Sequence, residues 1–128
     1  MWFQKPVILI IDDDLSIRHV ISVSLKIKNK YDIKLASNGL DGMKLITEIK
    51  PDLILLDWIM PNMNGIEVLS KLKKKSVTSN IPVMMLTGKN LMGDIDDAFK
   101  SGVDDYLIKP VNLKKLHHKV RYLLRKSR

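Results

Sequence analysis

The sequence predicts an α/β fold: a (βα)5 doubly wound parallel sheet with helices on both faces, formed by residues 1–128 as a single domain. Three observations carry this. Val7-Ile8-Leu9-Ile10-Ile11 and Leu53-Ile54-Leu55-Leu56 are unbroken apolar runs, the pattern of strands buried on both faces, and each stops at a carboxylate. Between such runs lie segments whose apolar residues recur at helical spacing. A chain of 128 residues is long enough for a real core, and no repeat, linker or low-complexity segment divides it.

The first strand, Val7 to Ile11, runs into Asp12-Asp13-Asp14. Leu15 to Asn29 follows as a helix, with Ile17, Val20, Ile21, Leu25 and Ile27 in its apolar pattern and Asp14 as its N-cap. Tyr31 to Ala36 alternates polar and apolar, so this second strand is half exposed and belongs at an edge. Ser37-Asn38-Gly39 is a turn, and Leu40 to Lys50 a short helix with Met43, Ile46 and Ile49 inward, ended by Pro51. The third strand closes on Asp57, and its loop carries Pro61 and Gly65.

Gly65 to Lys75 is the third helix, burying Ile66, Leu69 and Leu72. Pro82 to Leu86 is a short apolar strand ending at Thr87-Gly88, with proline tolerated at its start. Leu91 to Ser101 sets Leu91, Ile95, Ala98 and Phe99 on one helical face, with Gly102 as C-cap. Asp104 to Ile108 is less uniformly apolar and takes the other edge, stopping at Lys109-Pro110. The last helix, Leu113 to about Arg125, turns Leu116, Val120, Leu123 and Leu124 inward. With the second and fifth strands outside, the order 2-1-3-4-5 follows, the flavodoxin-like arrangement.

Composition narrows the function. The absence of cysteine excludes disulfides and thiolate metal sites and fits a cytoplasmic home. Five apolar residues after the N-terminal segment are too few for a signal-peptide core or a membrane span, so no membrane partner is expected. The net charge of +8 concentrates in Lys71, Lys73, Lys74 and Lys75 and in the seven cations from Lys114 to Arg128. Those segments read as solvated helix faces. Without aromatic residues interleaved, no nucleic-acid partner is expected for this domain.

In the predicted order the first and third strands are neighbours, about 4.8 Å apart. Their ends bring Asp12, Asp13 and Asp57 into one pocket, where three carboxylates repel unless a cation intervenes. All-oxygen ligation favours Mg²⁺, with Mn²⁺ as a substitute. Thr87 and Lys109 end the fourth and fifth strands on the same edge. A hydroxyl and an ammonium around carboxylate-bound Mg²⁺ are the parts that hold a phosphoryl group, with Asp57 as nucleophile. Taken singly, each residue is ordinary loop punctuation; placed together at four strand ends, they form a correlated set.

The segments Ile11-Asp12-Asp13-Asp14, Leu56 to Gly65, Met85-Leu86-Thr87-Gly88 and Asp104 to Pro110 resemble the receiver domains of two-component response regulators. The likeness covers essentially the whole chain, and its spacing is similar to the single-domain chemotaxis type. The resemblance implies a signalling phosphoacceptor rather than an enzyme, taking phosphate on Asp57 from a sensor histidine kinase or histidine phosphotransfer protein. It implies that Asp13 binds Mg²⁺ directly and Asp12 more through water, with Asp57 and the Ile59 backbone carbonyl as further ligands. Lys109 would pair with the phosphoryl oxygens, Thr87 would swing toward them, and Tyr106 would follow it inward. The Lys109-Pro110 peptide would be cis. Ile59 and Lys89 stand where the family tunes hydrolysis; an apolar Ile59 cannot orient an attacking water by its side chain, which predicts slow loss of phosphate.

The resemblance also puts a downstream protein on the face of the fourth helix, fifth strand and fifth helix. There Asp94, Asp96, Asp97, Asp104 and Asp105 precede Lys114, Lys115, Lys119, Arg121 and Arg125, charges that pair across a two-fold dimer, pair within a monomer, or contribute little as exposed ion pairs do. Where DNA-binding relatives carry an acidic residue early in the last helix, this chain has Lys114-Lys115, so a monomer or weak dimer is expected. His117 and His118 lack a metal partner and read as surface residues. Two alternatives remain: the receiver part of a DNA-binding transcriptional regulator, and a haloacid-dehalogenase-type phosphatase, which Asp12 to Ser16 matches loosely and for which no cap region is present.

Overall fold

Five strands and five helices alternate in the computed structural model, which describes residues 4–88 and 95–127. Expectations placed on Lys89, Leu91 and Asp94, and on the side chains of Ile95 and Asp97, lie outside the described residues. The elements are β1 (Val7–Ile11), α1 (Leu15–Lys26), β2 (Asp32–Ala36), α2 (Gly39–Ile49), β3 (Leu53–Asp57), α3 (Gly65–Lys73), β4 (Val83–Thr87), α4 (Ile95–Lys100), β5 (Asp105–Ile108) and α5 (Leu113–Ser127). All neighbouring strands are parallel, in the order β2-β1-β3-β4-β5. The predicted sheet is the observed one, with the two least apolar strands at its edges.

Strand alternation splits the core into two layers, because successive side chains point to opposite faces. Leu9, Ile11, Ile54, Leu56, Val83 and Met85 meet Ile46 of α2, Val68, Leu69 and Leu72 of α3 and Ala98 of α4. Ile8, Ile10, Leu53, Leu55, Met84 and Leu86 meet Ile21 and Leu25 of α1 and Leu116, Val120, Leu123 and Leu124 of α5. Both faces of the central strands are thus covered.

Asp14 caps α1 by accepting from the backbone N–H groups of Ser16 and Ile17. Asn38 and Asn64 cap α2 and α3 in the same way. At the opposite end of the sheet, Asp52 accepts from Val7 N at 2.7 Å and Asp104 from Val83 N at 2.8 Å. Asp104 therefore serves strand β4 rather than lying free on a charged surface.

Some inward expectations fail by one helical row. In α1 the buried row runs through Ile21 and Leu25, while Val20 is 49% exposed and Ile27, past the last turn, 74%. Buried Ser24 joins that row, its hydroxyl 2.7 Å from His117 Nε2 of α5. His117 is thus a half-buried link between two helices and not a plain surface residue. In α3 the inward row is Gly65, Val68, Leu69 and Leu72, leaving Ile66 48% exposed. Phe99 is 42% exposed and sets its ring edge-on to Tyr106, centroids 5.9 Å apart.

Candidate functional site

Strand register decides which side chains meet. Ile11 lies opposite Leu56, Asp57 opposite Leu86, and Thr87 opposite Ile108. Each residue of interest therefore falls on the last position of its strand or one past it: Asp12 after β1, Asp57 in β3, Thr87 in β4, Lys109 after β5. The carboxyl edge of a parallel sheet is where open α/β folds put their chemistry, and the crevice here opens between β1 and β3.

The loop after β3 is held tight against the strand. Gly65 N donates to Trp58 O at 3.0 Å, and a Cβ on Gly65 would lie 2.8 Å from the Asp57 carbonyl oxygen and 2.9 Å from Trp58 Cα. Backbone atoms cannot yield to such a contact, so only glycine allows this close return. The loop in turn fixes Ile59, whose N–H donates to Asp57 Oδ1 at 3.3 Å.

Asp12 is fully buried and Asp57 nearly so, whereas Asp13 is exposed. Ligand oxygens from Asp12, Asp13 and Asp57 all lie within 4.8 Å of one another. Lys109 Nζ stands 3.0 Å from Asp12 Oδ2 and 3.2 Å from Asp57 Oδ1. Asp12 Oδ1 accepts from Asp14 N at 2.9 Å. Asp12 Oδ2 has the lysine's charge nearby but no partner in hydrogen-bond geometry, which leaves a buried carboxylate oxygen unsatisfied.

The electrostatics match this crowding. Burial, then a hydrogen bond with Asp13 and the charge of Asp12, push the Asp57 carboxyl up to about 7 against the opposing pull of Lys109. Burial by itself would lower the Lys109 ammonium, but the close carboxylates of Asp12 and then Asp57 outweigh it and raise its pKa. Three convergent carboxylates, one with an orphaned buried oxygen and one driven to keep its proton, form an all-oxygen donor set deficient in positive charge. Such a set fits Mg²⁺, or Mn²⁺ in its place.

Asp13, Asp14, Asp57, Ile59, Thr87, Gly88 and Lys109 line an open cleft of about 480 Å³ above these groups. Thr87 is buried, its hydroxyl donating to Gly88 O at 3.3 Å. The Lys109-Pro110 peptide is cis, as the resemblance implied. Of the residues singled out from sequence, the edge gathers Asp12, Asp13, Asp57, Ile59, Thr87 and Lys109. Tyr106 stands apart, half-buried on β5 against Phe99, with Lys119 Nζ 5.6 Å from its ring centroid. Lys119 also pairs with Asp105 at 2.8 Å, so that acid–base pair closes within the chain. Sequence reasoning passed over Arg18, whose Nη1 donates to the Asp12 carbonyl at 2.7 Å. Its signal was a cation one helical turn beyond the N-cap of α1.

The response regulator receiver domain family matches residues 8–121. The chain belongs to that family. This receiver domain is 40% identical over 122 residues to the DNA-binding dual master transcriptional regulator RpaA of Synechocystis sp., an alignment covering 95% of this chain and 50% of that one. It is 38% identical over 120 residues to the phosphate regulon transcriptional regulatory protein PhoB of Pseudomonas aeruginosa, covering 94% and 52%. The receiver domain spans about half the length of these relatives. Among solved structures, the Francisella response regulator 1452 receiver domain superposes with a TM-score of 0.88 at 32% identity, covering 97% of this chain and 100% of that one. Vibrio cholerae chemotaxis protein CheY4 gives 0.86 at 25% identity, covering 94% and 99%. Among the described residues of this receiver domain, no helix is long and apolar enough to cross a membrane.

Proposed function

We propose that this receiver domain is a signalling phosphoacceptor: it takes a phosphoryl group on Asp57 from the phosphohistidine of a sensor kinase or phosphotransfer protein. The observation that carries the reading is the meeting of Asp57 with Asp12, Asp13 and Lys109 at one sheet edge. Once its proton has left to solvent, an oxygen of the Asp57 carboxylate attacks phosphorus and an O–P bond forms. The donor's P–N bond breaks, and the departing imidazole keeps the electron pair. The carboxylates of Asp12, Asp13 and Asp57 and the backbone carbonyl of Ile59 would hold Mg²⁺, which supplies charge neutralisation when bound. Lys109, already drawn toward Asp57, pairs with the incoming phosphoryl oxygens. The Thr87 hydroxyl, which donates to the adjacent Gly88 carbonyl, turns to donate to the phosphoryl group, and Tyr106 moves into the space it leaves.

That movement alters the α4–β5–α5 face, which meets a downstream protein. The expected setting is the cytoplasm, with the protein a monomer or weak dimer; the Asp105–Lys119 pair, closed within the chain, removes two charges from a dimer seam. A second reading draws on the relatives: a chain aligned with half of RpaA and PhoB suits the receiver part of a DNA-binding regulator, whose effector the same switch would govern. The genomic reading frame discriminates the two.

Incubation with acetyl phosphate and Mg²⁺ tests the core claim. One phosphoryl mass is expected on Asp57, absent in Asp57→Asn and absent when Mg²⁺ is chelated; no modification despite bound Mg²⁺ overturns it. Ile59 is 61% exposed beside the cleft and offers no polar group to an attacking water. The phosphoprotein is accordingly expected to be long-lived, an expectation that a lifetime of seconds would refute.

A further inference from the structure

We propose that Arg18 is a positioning residue for the metal site, fastening the Asp12 carbonyl and thereby fixing the direction in which Asp13 presents its carboxylate. The inference rests on the metal-site reading above. A peptide unit is planar, so the Asp12 carbonyl, the Asp13 nitrogen and the Asp13 Cα share one plane. Whatever holds that carbonyl oxygen holds the root of the Asp13 side chain. Arg18 Nη1 holds it at 2.7 Å from a half-buried position.

Asp13 needs this support. Its two flanking residues are anchored: Asp12 N donates to Ala36 O at 3.2 Å, and Asp14 caps α1. Asp13 is exposed, and packing does not hold it. Arg18 grips the loop from two sides, since its own N–H donates to Asp14 O at 3.0 Å while its guanidinium reaches back to Asp12 O.

The choice of acceptor matters as well. Lys109 already engages carboxylate oxygens of Asp12 and Asp57. By binding a main-chain carbonyl instead, Arg18 organises the acids without consuming a further ligand oxygen. Groups outside the ligand shell that orient ligands in this way typically set metal affinity within an order of magnitude or two.

Charge and position predict opposite results, which makes the test decisive. A cation beside the acids repels Mg²⁺, so its removal by charge alone would tighten binding. Loss of a positioning contact weakens it. Mg²⁺ affinity is measured by titration calorimetry on the full chain, with thermal melts in chelator to verify folding. Arg18→Met is expected to bind Mg²⁺ about 10-fold more weakly than wild type. Arg18→Lys keeps the charge but ends one bond short, and should weaken binding by a smaller factor. Phosphorylation by acetyl phosphate should slow at limiting Mg²⁺ in both variants and recover at saturating Mg²⁺.

Unchanged or tighter Mg²⁺ binding in Arg18→Met overturns the proposal. If that variant does not fold, Arg18→Lys carries the test, and wild-type affinity there overturns it. A wild-type chain that binds no Mg²⁺ overturns the metal-site reading and this inference with it, a result distinct from variants that bind as the wild type does.

Discussion

Lys109→Met is expected to destabilise the metal-free protein by about 3 kcal/mol at pH 8. Methionine keeps the apolar stem and removes only the ammonium, so the loss reads electrostatics rather than packing. Among the described residues, Lys109 is the cation within ion-pair distance of both Asp12 and Asp57. Asp12 has no access to water. Without the lysine its charge stays buried with the Asp14 N–H as its remaining direct partner, the situation in which breaking a pair costs far more than the pair contributed. The loss should shrink at pH 5, where Asp57 carries a proton and repels Asp12 less. It should shrink also with Mg²⁺, whose affinity rises in the variant because a competing cation has gone. Chemical denaturation with and without chelator measures all three, and equal stability of variant and wild type at pH 8 without metal would refute the account.

The second large effect concerns pH and Asp57. In the folded, metal-free protein its carboxyl holds a proton up to about 7, whereas the ordinary value is 3.8. Between those values the folded state binds the extra proton, so unfolding becomes easier as pH rises through the window. Stability is fully retained below the lower value and reaches its floor above the upper one. Asp57→Asn, which cannot ionise, should remove this slope. At pH 8 without metal it should be more stable than wild type by roughly 2 kcal/mol, once solvent screening at the open side of the cleft is allowed for. At pH 4 the two should melt alike. Mg²⁺ should stabilise the wild type at pH 8 and leave Asp57→Asn much less affected. A wild type whose stability relative to Asp57→Asn does not change between pH 4 and pH 8 would contradict the burial argument.

Strand ends were the most legible feature of the sequence, for a physical reason. A strand buried on both faces tolerates no charge until it leaves the sheet, so the first Asp after Ile11 and after Leu56 marks the edge itself. Parallel register then turns four separate endings into one site. Helix faces were less legible. Val20, Ile27 and Ile66 obey helical spacing yet lie on rows turned to solvent, because apolar residues on adjacent rows give the same periodicity and only packing selects between them. Side chains that reach across elements were not legible at all. The Ser24–His117 bond depends on a distance that no local pattern encodes.

Because its four strand ends run from Asp12 to Lys109, the acid cleft is closed by chain segments far apart in sequence. No hairpin or single βα unit could hold it. Ligation at this edge therefore works against global unfolding rather than against the opening of one loop, and a bound cation should slow exchange of the innermost amides of β1 and β3 along with those of edge strand β5. The same geometry delays the site during folding. Long loops must close before Asp57 reaches Asp12 and Asp13, so the acid cluster assembles only once β3 pairs with β1, and a chain lacking that pairing should bind a cation weakly.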